Sequence, residues 1–341
     1  MKGLTTICDG GTRDRNGYTP ERIPGPGDER QLNVIRGIHR RVALTSRSPV
    51  LYVHGGTFPS ALAIGWRFDG RSWMDDLCDA GFDVWGFDFL GFGGSDRYEE
   101  MALPANAHPP LGRAPYASHQ LECVVRHILS VTGAPRVTLL AHSWGSQPAA
   151  LFTTTYPKLV DRVVLFGPIL ERHRGIHTST ETTFPAYTFV TRRDQWQRFT
   201  EDAPADRPVL LERHFAPWAE AYLSTDPENQ TREPPSVQIP SGPMADIAAA
   251  WQGRLPYDPA RIRAPTLLVR GEWDSLCDDR DAAWLAKRLT GAPFRDRRLA
   301  RGTHLMHLEE LRFSLWGAVR EFLSEPDTTM LRNEEDTPCS T

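Results

Sequence analysis

A serine set between a strand-like and a helix-like segment constrains this chain most. The run Arg136-Val137-Thr138-Leu139-Leu140 is apolar and strand-compatible, and Ser146-Gln147-Pro148-Ala149-Ala150-Leu151-Phe152 is helix-compatible. Between them lies Ala141-His142-Ser143-Trp144-Gly145. A serine with a small residue two places away on each side, between strand and helix, is the layout of a nucleophile elbow. The small flanks answer to crowding, because larger side chains at 141 and 145 would collide with neighbouring backbone. The sharp turn lifts the Ser143 hydroxyl above the sheet edge. It also aims the first N–H groups of the following helix at the place where an oxyanion would form. The competing reading is an ordinary loop or N-cap serine, and the rest of the chain decides between them.

Serine alone is a weak nucleophile and needs a base, an orienting acid and an oxyanion hole. His304 is the expected base. It lies in Arg301-Gly302-Thr303-His304-Leu305, after the charged but strand-compatible 294–299 and before the helix-like 308–323. His307 is the rival, held at or inside the helix start. Asp274 is the expected acid, on the turn Gly271-Glu272-Trp273-Asp274 that leaves the buried run Pro265 to Arg270. Glu272, Asp278 and Asp279 compete with it; Asp279 suits the start of the next helix. The strand 163–166 offers no acid until Glu171. For the oxyanion hole, His54-Gly55-Gly56-Thr57 follows the apolar Val50-Leu51-Tyr52-Val53. Glycine lets backbone amides approach a substrate. The Gly56 N–H, or its neighbour at Thr57, is expected to pair with the Trp144 N–H. His54 reads as structural.

Taken in order, these motifs, with Asp88-Phe89-Leu90-Gly91-Phe92-Gly93-Gly94-Ser95 among them, resemble the α/β-hydrolase superfamily. The likeness is to its capped, serine-nucleophile members, such as proline iminopeptidases, meta-cleavage C–C hydrolases and esterases. It covers roughly residues 33–325 and is loose after Phe166. It implies an α/β fold with a mainly parallel, doubly covered sheet and the roles Ser143, His304 and Asp274 of a triad. A serine at the elbow argues against dehalogenase and epoxide hydrolase chemistry, which in this superfamily use an aspartate there.

The alternation of elements supports the same fold. Strands are predicted near 33–45, 49–53, 82–88, 136–141, 162–166, 265–270 and 294–299. Helices are predicted near 71–80, 117–131, 145–155, 279–290 and 308–324. Residues 1–32, rich in Gly, Pro and Arg, read as an N-terminal extension. Residues 33–166 and 265–325 read as the core, and 326–341 as a disordered tail. Between 167 and 264 the alternation stops, over a length no αβ connection needs. This stretch reads as a mostly helical lid with helix-like parts at 193–200, 209–223 and 244–251, and the Pro-rich 233–243 as a loop. Most of its aromatics suit a core of its own. Phe184, Tyr187, Phe189, Trp196, Trp218 and Trp251 are the ones to test against the pocket.

Over 341 residues the net charge is −4, with 24% charged and 40% hydrophobic residues. That predicts a soluble, cytoplasmic enzyme with a small-molecule substrate and neither nucleic acid nor membrane as partner. Five scattered cysteines suggest free thiols, and no spacing resembles a metal site. The reading requires no cofactor. It predicts a serine hydrolase acting through an acyl-enzyme on a mid-sized, largely apolar ester, thioester or lactone. The alternatives are an acyltransferase or cyclase, a C–C bond hydrolase, an aminopeptidase using Glu201-Asp202 or Glu212, and a non-catalytic ligand-binding relative.

Overall fold

In the computed structural model, residues 17–27, 29–38, 47–172, 183–210 and 212–326 are described. The sheet is built from β1 (Tyr18–Pro24), β2 (Gln31–Gly37), β3 (Val50–Val53), β4 (Val84–Asp88), β5 (Val137–His142) and β6 (Val160–Phe166). Two later strands complete it, β9 (Thr266–Gly271) and β10 (Phe294–Leu299), giving the order β1-β2-β4-β3-β5-β6-β9-β10. β1 and β2 enter antiparallel, and every pairing from β4 onward is parallel. Parallel strands covered on both faces carry continuous apolar runs. The four residues of β3 and the six of β5 are all buried. β10 is the far edge, and its sequence Phe-Arg-Asp-Arg-Arg-Leu keeps charges on an edge that could otherwise pair with another chain.

The sheet is covered by α1 (Trp73–Asp79), α2 (Ala114–Thr132), α3 (Ser146–Thr155), α7 (Asp279–Arg288) and α8 (Arg312–Ser324). Local chemistry sets their ends. Ser72 and Asp75 form a reciprocal capping box at α1, and Asp278 and Asp281 form another at α7. α2 starts three residues before the predicted 117, with Pro115 in its first turn, and ends on Gly133 in the left-handed conformation. α8 begins at 312 rather than 308, because Met306–Leu308 forms a separate short helical turn.

Between β6 and β9, the described residues 183–210 and 212–264 supply no strand to the main sheet. They form β7 (Tyr187–Thr191), α4 (Arg192–Thr200), α5 (Glu212–Leu223), β8 (Ser236–Pro240) and α6 (Gly242–Ala250). β7 and β8 pair antiparallel as a ribbon. Phe199, Phe215, Trp218 and Tyr222 stack into one aromatic cluster, which Phe58 of the core joins. The buried Trp218 indole N–H donates to the Leu62 carbonyl at 2.9 Å, pinning α5 to the core.

Two expectations need correction. The extension predicted over 1–32 ends earlier, because Tyr18–Pro24 is a sheet strand and Gln31 begins the next one. Only Tyr18 and Ile23 of β1 are buried, and its prolines suit an edge, so the apolar pattern is faint. The loop predicted over 233–243 holds β8, whose backbone is satisfied by β7. Residues 1–16, most of the predicted 33–45 strand beyond Gly37, and the tail beyond Pro326 lie outside the described residues.

Candidate active site

β3, β5, β9 and β10 run parallel, so the loops after them emerge on one side of the sheet. Ligands of such sheets bind outside the carboxyl ends of the strands. His54 to Thr57, Ser143, Asp274 and His304 are each on one of these loops.

At the end of β5 the chain turns so sharply that Ser143 takes a φ of +56°. A non-glycine residue there is strained by roughly 1–3 kcal/mol, which the surrounding packing must hold. A Cβ at Gly145 would lie 2.2 Å from the His54 carbonyl oxygen and 2.9 Å from that of Val53. The crowding inferred for position 145 is therefore a contact with the backbone of β3 and its loop.

The structure brings the three predicted residues together. Ser143 Oγ lies 2.8 Å from His304 Nε2, and His304 Nδ1 lies 3.0 Å from Asp274 Oδ1. With the ring hydrogen on Nδ1, the imidazole donates to the carboxylate and accepts the serine hydroxyl proton. Asp274 Oδ1 also accepts from the Leu276 and Cys277 N–H groups at 2.9 and 3.1 Å, which fixes the carboxylate. The Trp273 N–H donates to the Gly302 carbonyl at 2.9 Å, tying the turn of Asp274 to the loop of His304. Gly167, at φ +50°, closes the gap after β6: a Cβ there would lie 2.8 Å from Asp274 Oδ2 and 3.1 Å from His304 Nδ1. No larger residue fits between that strand end and the imidazole–carboxylate pair.

The rival acids and base are engaged elsewhere. Glu272 accepts from the Arg301 N–H, Asp278 caps α7, and Asp279 pairs with Arg270 at 2.6 Å. His307 is buried, stacked on Phe58 and edge-on to Phe166 and His142, and burial next to His304 pushes its pKa down to about 3. His54 accepts from the Phe89 N–H on Nε2 at 3.0 Å and donates from Nδ1 to the Gly55 carbonyl at 2.7 Å. Burial lowers its pKa to about 4, so it is a neutral brace under the glycine loop.

Several residues of the site carried no sequence signal. His142 donates from Nε2 to the His304 carbonyl at 3.0 Å, and burial, with His307 and His304 beside it, holds it far below the usual histidine range. Asp202, considered above for an ammonium group, instead accepts from the His304 N–H at 3.3 Å. The Thr303 hydroxyl donates to Glu309, whose carboxyl burial pushes up to about 8. All three brace the loop that carries His304. The His142 and Asp202 contacts join residues more than 100 apart in the chain, and the Thr303–Glu309 contact forms within the loop itself.

Ser143, His304, Gly56 and His142 line a cavity of about 370 Å3. Its walls are mostly apolar: Phe58, Leu276 and Leu305 from the core, and Phe184, Met244, Ile247, Ala248 and Trp251 from the 167–264 segment. Arg198 of α4 adds a cation, held by Glu201. Of the aromatics singled out in the sequence, Phe184 and Trp251 reach this cavity. Trp218 is in the aromatic cluster, Trp196 packs on Phe215, Tyr187 donates to the Leu103 carbonyl, and Phe189 is exposed beneath Arg232.

A family model described as alpha/beta hydrolase fold matches residues 48–311. No curated protein matches the chain. Among solved structures it is similar to a thioesterase domain from the curacin biosynthetic pathway, at 15% identity and a TM-score of 0.59 over 90% of this chain and 99% of that one. A serine hydrolase involved in carbazole degradation (CarC) gives 16% identity and 0.61 over 90% and 99%. A variant of the meta-cleavage product hydrolase CumD gives 18% and 0.58 over 90% and 98%. At these identities the likeness is one of fold.

Proposed function

The chain belongs to the alpha/beta hydrolase fold family, and from that premise we propose that it is a serine hydrolase working through an acyl-enzyme. The observation that carries the reading is the continuous chain Ser143 Oγ–His304–Asp274, at 2.8 and 3.0 Å, opening on an apolar cavity. Ser143 Oγ attacks a carbonyl carbon while His304 Nε2 takes its proton. The Asp274 carboxylate holds the tautomer and stabilises the imidazolium. The oxyanion is received by the N–H groups of Gly56 and Trp144, each such donor contributing about 3–4 kcal/mol in transition-state stabilisation. His304 then passes the proton to the leaving group. Water, activated by the same imidazole, releases the acid and restores Ser143.

The 167–264 segment acts as the lid. It inserts after a strand whose carboxyl end faces the serine, and five of its apolar side chains line the cavity. A mostly apolar space of about 370 Å3 suits a mid-sized ester, thioester or lactone.

The test is labelling with a fluorophosphonate followed by mass mapping. The expected result is one adduct, on Ser143, lost in Ser143→Ala, together with turnover of short p-nitrophenyl esters. A folded protein that neither labels nor turns over any ester, thioester or lactone would overturn the reading in favour of a ligand-binding relative.

A further inference from the structure

Asp246 lies on α6, within the lid segment, and its side chain is 4% exposed. Its carboxylate collects three donors from two distant parts of the chain. Oδ2 accepts the Trp144 indole N–H at 3.0 Å and the Ala114 backbone N–H, the first of α2, at 2.6 Å; Oδ1 accepts from the Arg113 guanidinium. One carboxylate therefore ties α6, the start of α2 and the residue after Ser143. Trp144 is itself buried, with its ring edge-on to Phe89, which leaves the indole little freedom apart from this bond. Its main chain continues directly from the strained Ser143.

From these contacts we infer that Asp246 is a positioning residue for the oxyanion hole, holding the Trp144 main-chain N–H in place through the indole. The inference rests on the serine hydrolase reading above. An oxyanion hole works because its donors are already aimed before charge develops, and small displacements cost rate rather than substrate affinity. A lid side chain that fixes a donor also couples lid position to chemistry, since α6 supplies Met244, Ile247 and Ala248 to the cavity wall. An uncharged acceptor of the same shape should suffice: the Asn oxygen can take both buried N–H groups, and Arg113, about half exposed, can turn to water.

The experiment compares Trp144→Phe, Asp246→Ala, their double variant and Asp246→Asn. For each, p-nitrophenyl butyrate gives kcat and KM, an alkyl trifluoromethyl ketone gives an inhibition constant, and NMR reports the Trp144 indole N–H. The ketone forms a tetrahedral oxyanion on serine, so it reads the hole directly. Trp144→Phe and Asp246→Ala should each lower kcat about tenfold and weaken the ketone about tenfold, with KM within twofold. The double variant should be no worse than either single one. Asp246→Asn should recover kcat to within about threefold. The Trp144 indole resonance, identified by its loss in Trp144→Phe, should move on Asp246→Ala. Single variants within twofold of the parent in kcat and ketone affinity overturn the inference, as do losses that multiply in the double variant. An unmoved indole resonance overturns it too, and that readout decides the point even in a protein with no esterase activity. Absence of turnover and of any Ser143 adduct in the unsubstituted protein would instead count against the serine hydrolase reading.

Discussion

At the scale of single residues, the proposed site is a short hydrogen-bonded chain whose members should act together. Ser143→Ala should lower kcat by about 10⁴–10⁶ and leave the melting temperature nearly unchanged, because one hydroxyl at a turn adds little stability. His304→Ala should be as damaging, and the double variant hardly worse, since neither residue works without the other. Steady-state kinetics on the purified variants decides this, and a tenth of the activity retained in Ser143→Ala sinks the nucleophile assignment. His307→Ala should behave differently. Its ring is buried among Phe58, Phe166 and His142, so its removal costs roughly 1–3 kcal/mol of stability with a mild change in kcat. If His307→Ala were inactive and His304→Ala active, the base would have been misidentified.

At the scale of elements, the described part of the 167–264 segment separates side chains that line the cavity from those that hold the segment together. Phe184 and Trp251 belong to the first kind and Trp218 to the second. Trimming Phe184 or Trp251 to alanine should change kcat/KM unequally between short and long acyl esters, by roughly 1–3 kcal/mol. Labelling of Ser143 by a small phosphonate should barely change in those variants. Trp218→Ala should instead cost about 3–5 kcal/mol of stability, through a cavity and an unpaired Leu62 carbonyl. Phe189→Ala, at an exposed site, should affect neither. A uniform shift across all chain lengths in both Phe184→Ala and Trp251→Ala would refute the lid assignment.

At the scale of the whole molecule, burial of titratable groups sets the pH window of stability. His54 and His307 have folded pKa values depressed to about 4 and about 3. The unfolded chain takes up protons near pH 6.5 and the folded chain does not. Stability is therefore intact above that pH and falls as pH drops, by about 1.4 kcal/mol per unit for each histidine until its folded pKa is reached. Glu309 has the opposite sign. Its folded pKa is raised to about 8, so the fold favours the protonated acid, and stability falls as pH rises from the ordinary glutamate range toward 8. Below about 6.5 these histidines, with His142 depressed in the same direction, outweigh the glutamate; above it the histidines drop out and Glu309 lowers stability toward pH 8. These groups place the stability maximum near pH 6.5. Thermal melts from pH 5 to 9 should show it, and Glu309→Gln should flatten the decline between 6.5 and 8. An unchanged alkaline decline in that variant would remove Glu309 from the account.

The sequence by itself was enough for the mainly parallel sheet and for the strand-end loops that bring Ser143, Asp274 and His304 together. Apolar runs such as 50–53 and 137–142 announce doubly covered strands, and turn chemistry marks the loops at their ends. Those signals are local, and a strand end restricts a side chain to one side of a sheet. β1 was missed because only two of its seven residues are buried, and β8 because its short, proline-flanked run is satisfied only by β7, some 45 residues earlier in the chain. Tertiary structure alone decided which aromatics of the 167–264 segment reach the cavity, that Gly167 clears the space beside Asp274, and that Asp202, Glu309 and His142 brace the His304 loop. It alone brought Asp246 to Trp144, 102 residues apart. Such contacts depend on how separate elements pack, and no periodicity or motif within a single segment encodes the distance between two of them.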